Sequence, residues 1–266
     1  MLLAVVALAG CGGGAASDEP TVVAGLYPLA WAVGQIAGDR HRVVDVTPPG
    51  AEPHDVELSP RDVEEILGAD LVVYVGGGFQ PAIEDAVELR DGDSLDILAG
   101  GSDPHVWLDP VRFAAVARRV GEALGRSAAG ERLASRLLEL HREYEAGLAH
   151  CTRRTIVTTH AAFGRLAARY GLEQLALAGT SPEAEPTARD LEGLIEQVRA
   201  SGATTVFSEP LASDRVPRTV AREAGLRVGV LDPVEGLTDN GVEAGADYLT
   251  VMRDDLEALR EALGCR

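Results

Sequence analysis

Short apolar runs rich in β-branched residues alternate along this chain with stretches whose apolar positions recur every three or four residues. Runs at 21–25, 42–46, 70–75 and 94–98 predict four strands in the first half, and runs at 155–158, 174–178, 204–207 and 226–231 predict four more in the second. Helical spacing predicts helices over 28–37, 162–170 and 218–224, with others opening at Ser59-Pro60 and at Thr187. Ser59 and Thr187 suit N-caps, Pro60 suits the first helical position, and Asp190 can reach back to its cap. From 111 to about 150 the pattern is helical, broken near 125–130, and its second part places Leu133, Leu137, Leu140 and Tyr144 on one face. A helix of about 20 residues spans about 30 Å, enough to join two lobes at a fixed distance. A last helix is expected over 241–263. Gly76-Gly77-Gly78 lacks the Gly-Lys-Ser/Thr of a phosphate loop and reads as a turn.

Regular βα alternation argues for parallel sheets with helices on both faces. The expected fold is α/β with two lobes, each a mostly parallel sheet flanked by helices, joined by a long rigid linker helix. Residues 21–125 form the N-terminal lobe, 126–150 the linker and 151–266 the C-terminal lobe. Residues 1–20 stand apart as a signal segment and tether. Their apolar start ends in Leu8-Ala9-Gly10-Cys11, which resembles a bacterial lipobox with Cys11 as the lipid-bearing residue. A run of Gly, Ala and Ser follows as a flexible connection. The other cysteines, Cys151 and Cys265, could pair in an oxidising compartment, two unpaired thiols being the alternative.

The 266 residues carry a formal charge of −18, from 42 acidic and 24 basic side chains, all of the latter Arg. Such a surface repels nucleic acid and anionic lipid and attracts cations.

The candidate chemistry centres on Asp103-Pro104-His105-Val106-Trp107-Leu108-Asp109-Pro110. Proline biases the residue before it toward extended backbone, and Pro110 suits the first turn of a helix, so His105 is held just ahead of one. His54 follows the second predicted strand, His105 the fourth, His160 the fifth and Asp232 the eighth. All four lie past carboxyl ends of strands, where open α/β sheets bind ligands. Two come from each half, so they meet only in a cleft between lobes. Three imidazoles and a carboxylate make a four-coordinate set suited to zinc. His41, His141 and His150 read as solvated or structural.

These residues also carry a family resemblance. Pro53-His54, the Asp103–Pro110 segment, Thr159-His160-Ala161-Ala162-Phe163-Gly164, Phe207-Ser208-Glu209-Pro210 and Leu231-Asp232-Pro233 resemble the zinc and manganese solute-binding lipoproteins of bacterial metal ABC transporters. The resemblance covers the chain from about residue 21 to its end. It implies two α/β lobes with a rigid linker helix, metal ligands His54, His105, His160 and Asp232, and delivery of the metal to a membrane permease. It also implies a lipid-anchored, extracytoplasmic location, and the chain is expected to be a monomer and no enzyme. Glu209 is expected to orient a ligand imidazole, with Glu52 as a reserve ligand. Manganese-preferring members carry glutamate where this chain has His160, so zinc is the expected ion and manganese the alternative. The histidine-rich loop of many zinc members is missing from 90–102, which is acidic and glycine-rich.

Two competing readings follow from the same residues. A zinc hydrolase or lyase would keep three ligands and an open position for water, with Glu209 as base, but no HExxH signature supports it. A siderophore or corrinoid cleft should be larger and richer in aromatic residues than a chain with 4% aromatics provides.

Overall fold

A computed structural model of the chain describes residues 19–98, 103–181 and 187–266. Cys11 lies outside them, as does the stretch of 90–102 beyond residue 98. The strands of the first half, β1 (Thr21–Ala24), β2 (Arg42–Asp45), β3 (Leu71–Tyr74) and β4 (Asp93–Asp96), form a parallel sheet in the order β2-β1-β3-β4. Those of the second half, β5 (Thr155–Thr158), β6 (Glu173–Ala176), β7 (Thr205–Ser208) and β8 (Arg227–Val230), repeat that order as β6-β5-β7-β8. Each sheet therefore changes winding direction between its first and third strands, which leaves a crevice at the carboxyl ends there.

Ten α-helices complete the described residues: α1 (Tyr27–Ala37), α2 (Pro60–Gly68), α3 (Pro81–Glu88), α4 (Pro110–Ala123), α5 (Ser127–Leu148), α6 (Gly164–Tyr170), α7 (Ala188–Ala200), α8 (Arg215–Ala224), α9 (Asp239–Glu243) and α10 (Tyr248–Leu263). Capping chemistry sets several of their starts. Ser59 and Asp62 exchange hydrogen bonds across the first turn of α2, and Thr187 and Asp190 do so for α7.

Strand residues alternate between two cores, as a sheet covered on both faces requires. Val22 and Ala24 of β1 join the largest cluster, whereas Val23 joins a smaller one with Ile66, Val72 and Ile83. In the second sheet Ile156 and Phe207 face the large cluster, and Val157 and Val206 face α7 and α8 through the third. The large cluster runs through both lobes by way of α4, α5 and α10. Burying that much apolar surface between the sheets holds them as one packed unit. The helix pair α4–α5 packs closely because Gly121 lies against Gly130; a Cβ on Gly121 would come 2.9 Å from the Gly130 Cα.

Two differences from the sequence expectation have simple causes. The expected helix at 241–263 is two helices, because Gly245 takes φ +71 and Asp247 caps a new start with Thr250. The break between α4 and α5 falls where it was expected, at Gly125, with φ +63, and Arg126. Helix α3 was not expected; it is only 8 residues long and begins at Pro81, directly after the buried Gln80.

Cys151 and Cys265 are disulfide-bonded across a sequence separation of 114. The bond ties the end of α10 to the segment entering β5. For a closed loop of that length the chain-entropy estimate of stabilisation is about 4–5 kcal/mol. Replacing both cysteines with serine should lower the melting temperature by roughly 5–15 °C. Differential scanning calorimetry checks this, and an unchanged melting temperature would contradict it.

Candidate metal centre

Four side chains converge where the carboxyl ends of the two sheets face each other. His54 sits in a 3₁₀ turn, Pro53–Asp55, reached from β2. Gln80 fixes that turn from below: its amide donates to the carbonyls of Pro53 at 3.3 Å and Gly25 at 2.8 Å. Position 25 has to be glycine for this, since a Cβ there would lie 2.8 Å from the Gln80 Oε1. His105 follows β4 and precedes the turn Val106–Leu108, after which Asp109 caps α4 through the N–H groups of Val111 and Arg112. His160 ends β5 and precedes the turn Ala161–Phe163.

Two of the imidazoles are oriented by the same device. Asp103 accepts from the His105 backbone N–H at 3.0 Å and faces its ring Nδ1 at 2.9 Å. Glu209, just past β7, accepts from the His160 backbone N–H at 3.2 Å and faces its Nδ1 at 2.6 Å. An ionised carboxylate can only accept, so each Nδ1 donates to it and each Nε2 is turned the other way. Arg165 reaches across from α6 and donates to the carbonyl of Asp103, steadying the first of these pairs.

The fourth convergent group is Glu235. Its Oε1 lies 3.5 Å from His54 Nε2, 3.1 Å from His105 Nε2 and 3.5 Å from His160 Nε2. One ligand atom from each of the four residues falls within 4.8 Å of the others. His105, His160 and Glu235 are buried, and His54 nearly so at its ring. None of the three Nε2 atoms nor the Glu235 Oε1 makes a well-formed hydrogen bond, although all are shielded from solvent. Buried polar atoms normally find partners, and convergent lone pairs are what a cation requires. A tetrahedral ion with bonds of about 2.0–2.1 Å separates its donors by about 3.3 Å. The Glu235 distances bracket that edge.

The charges agree with the geometry. Burial alone would raise the Glu235 pKa, but the three imidazoles outweigh it and hold the carboxyl well below its usual range. Burial likewise disfavours a charged His160, yet Glu209 and Glu235 overcome this and raise its pKa to about 10. His105 is raised too, with Asp103 and Glu235 outweighing its burial. Glu52 accepts from the His54 backbone N–H at 3.3 Å, and burial followed by repulsion from Glu235 raises it to about 8. A carboxyl so inclined to stay neutral is a poor competitor for the ion.

Asp232, expected as the fourth ligand, is not in the convergent group. Its Oδ1 accepts the N–H of Val234 at 2.7 Å, which turns the carboxyl into its own loop. Burial raises its pKa to about 7, beyond what that hydrogen bond offsets. Glu235, three residues on, stands in the convergent group. The sequence signal was the second acidic residue in Asp232-Pro233-Val234-Glu235; Asp232 follows the strand directly and drew the assignment. The remaining histidines lie elsewhere: His141 faces Tyr170 and Glu145, and His41 and His150 lie outside the cluster.

Comparison with known proteins gives the affiliation. The family described as zinc-uptake complex component A, periplasmic, matches residues 22–262. The chain belongs to this family. The zinc-binding lipoprotein AdcA of Streptococcus pneumoniae serotype 4 is 32% identical over 282 residues, covering 92% of this chain and 56% of the relative. The chain thus spans little more than half the length of that protein. Among solved structures, the Zn(II)-bound ZnuA-like domain of the S. pneumoniae AdcA superposes with a TM-score of 0.77 at 32% identity, covering 92% of this chain and 99% of that domain. The laminin-binding protein Lmb of Streptococcus agalactiae, described as an adhesin with metal-transporting activity, gives 0.82 at 28% identity, covering 92% and 99%. Both superpositions span both sheets, so the two-lobe architecture is that of the family.

Proposed function

We propose that this chain is the extracytoplasmic zinc-binding component of a metal ABC importer and that it hands its ion to a membrane permease. The observation that carries the reading is the convergence of His54, His105, His160 and Glu235, whose donor atoms lie within 4.8 Å of one another with Glu235 Oε1 at 3.1–3.5 Å from each Nε2. In this reading the four are the ligands, with Asp103 and Glu209 orienting two of the imidazoles. Three nitrogens and one carboxylate oxygen suit zinc better than manganese, which prefers more numerous and harder oxygen donors. The family description and the Zn(II)-bound relative support the choice of ion.

The same geometry weighs against a hydrolase. A catalytic zinc keeps an open position for water, and here a fourth protein donor occupies it. The donor spacing also fits a bare ion rather than one carried in a chelator. Cys11 is proposed as a lipid anchor, in line with the lipoprotein name of the AdcA relative. We further propose residues 21–125 and 151–266 as the lobes and 126–150 as their spacer.

Metal-free protein titrated against a chromogenic chelator tests the central reading. One zinc should bind per chain, with at least about a hundredfold preference over manganese in direct competition. Absence of zinc binding, or preference for manganese, would overturn it.

A further inference from the structure

Resting on that ligand assignment, we propose that Trp107 is a positioning residue for Glu235. Its indole N–H holds the loop that aims this carboxylate at the three histidines, and so favours a four-coordinate ion.

Trp107 lies two residues past His105 and is fully buried. Its Nε1–H donates to the carbonyl of Pro233 at 2.7 Å, across 126 positions of sequence and from one lobe to the other. The residue after Pro233, Val234, has φ +57 and is the sole non-glycine residue with positive φ among the described residues. A β-branched side chain is strained in the left-handed region, so the surrounding structure has to hold it there. Three hydrogen bonds do so. The Val234 N–H donates to Asp232 Oδ1 at 2.7 Å, the Asp232 N–H donates to Asp255 Oδ1 at 2.8 Å, and Trp107 grips the carbonyl between them.

The first two bonds lie within the C-terminal lobe. Trp107 alone of the three connects the loop to the segment that carries His105. Its ring also meets the His105 imidazole edge-on, with centroids 5.3 Å apart, and the Tyr248 hydroxyl anchors its carbonyl at 2.6 Å. One side chain therefore rests on one ligand and fixes the backbone of another. The left-handed turn at Val234 decides the direction in which the Glu235 side chain departs. With the turn held, the carboxylate presents one oxygen to the imidazoles. With it relaxed, the carboxylate can swing to offer both oxygens, which suits an ion of higher coordination number.

Trp107→Phe keeps a ring against His105 and removes the N–H. Zinc affinity should fall about tenfold or more while manganese affinity changes less than about threefold, so the preference for zinc narrows. The visible absorption of the cobalt(II)-loaded variant should weaken, as it does when tetrahedral cobalt gains ligands. Val234→Gly removes the conformational cost at that position, so Trp107→Phe/Val234→Gly should recover zinc affinity to within about threefold of the parent. Unchanged zinc affinity and cobalt spectrum in Trp107→Phe would overturn the proposal. So would a loss that Val234→Gly does not recover, since that would make the indole a packing group alone. A further measurement needs no variant. The chain has two tryptophans, and the Trp31 Nε1 has no hydrogen-bond partner. In NMR spectra of the parent protein the Trp107 indole proton should lie downfield of that of Trp31; the reverse order would overturn the tether whether or not the variants fold. A parent protein that binds neither zinc nor cobalt would defeat the metal assignment itself, whereas a binding parent with an indifferent Trp107→Phe defeats only the tether.

Discussion

Replacing Glu235 with alanine is expected to weaken zinc binding by roughly a hundred- to a thousandfold, and Asp232→Asn by less than about tenfold. Structural zinc sites in zinc-finger peptides bind with about 10–16 kcal/mol, or about 2.5–4 kcal/mol for each of four ligands, and each 1.4 kcal/mol is a factor of ten. Glu235 supplies the oxygen that lies 3.1–3.5 Å from all three Nε2 atoms, and it is ionised in the folded protein. Asp232 spends Oδ1 on the Val234 N–H, and an asparagine oxygen can accept the same bond. Chelator competition on the two variants reads the difference directly. Equal losses would mean that the Asp232 carboxylate reaches the ion after all.

Acidification is the second large effect. In the metal-free protein His160 keeps a proton at Nε2 up to about pH 10, because Glu209 and Glu235 overcome the penalty of burial. His105 is shifted the same way by Asp103 and Glu235. Zinc binds only after the Nε2 proton of His160 leaves, so at neutral pH it must displace at least that one. Apparent affinity should therefore fall by roughly tenfold per pH unit already between pH 8 and 6, above the range free histidine would give. Glu235 adds nothing there, since its carboxyl stays ionised until the medium is strongly acidic. The stability of the two forms then runs in opposite senses. A histidine whose folded pKa is raised contributes stability that is full below about pH 6.5 and is lost as pH rises through about 10. The metal-free protein gains this in acid. The zinc-bound protein loses its ion there, and with it the term RT ln(1 + [L]/Kd). The zinc-induced rise in melting temperature should shrink steeply from pH 8 to pH 5. Calorimetric titrations in buffers of different ionisation enthalpy count the released protons. A constant thermal shift, or no proton release at pH 7, would contradict the account.

Much of the fold could be read from local pattern. Runs such as Leu71–Tyr74 and Thr155–Thr158 are short, apolar and β-branched, so their strands stand out from the helical segments around them. Ser59 and Thr187 announce their helices by capping chemistry that is local to four residues. Helix α3 was harder to see because 8 residues barely show a period. The histidines were legible from their position after strands. Glu235 was not, because its direction depends on a left-handed valine and on a hydrogen bond from Trp107, 126 residues earlier. Local propensity argues against that backbone at valine, and only tertiary packing overrides it. Glu209 was legible through the family resemblance, although which histidine it holds, His160 across 49 positions, is set by the pairing of β5 with β7.

The central claim is that one zinc is held by three imidazoles and one carboxylate between the lobes. Zinc K-edge X-ray absorption on the stoichiometrically loaded protein tests it most directly. The account predicts a four-coordinate ion with nitrogen and oxygen donors at about 2.0–2.1 Å and outer-shell scattering from three imidazole rings. Scattering from two rings or fewer, or a six-coordinate ion, would contradict it.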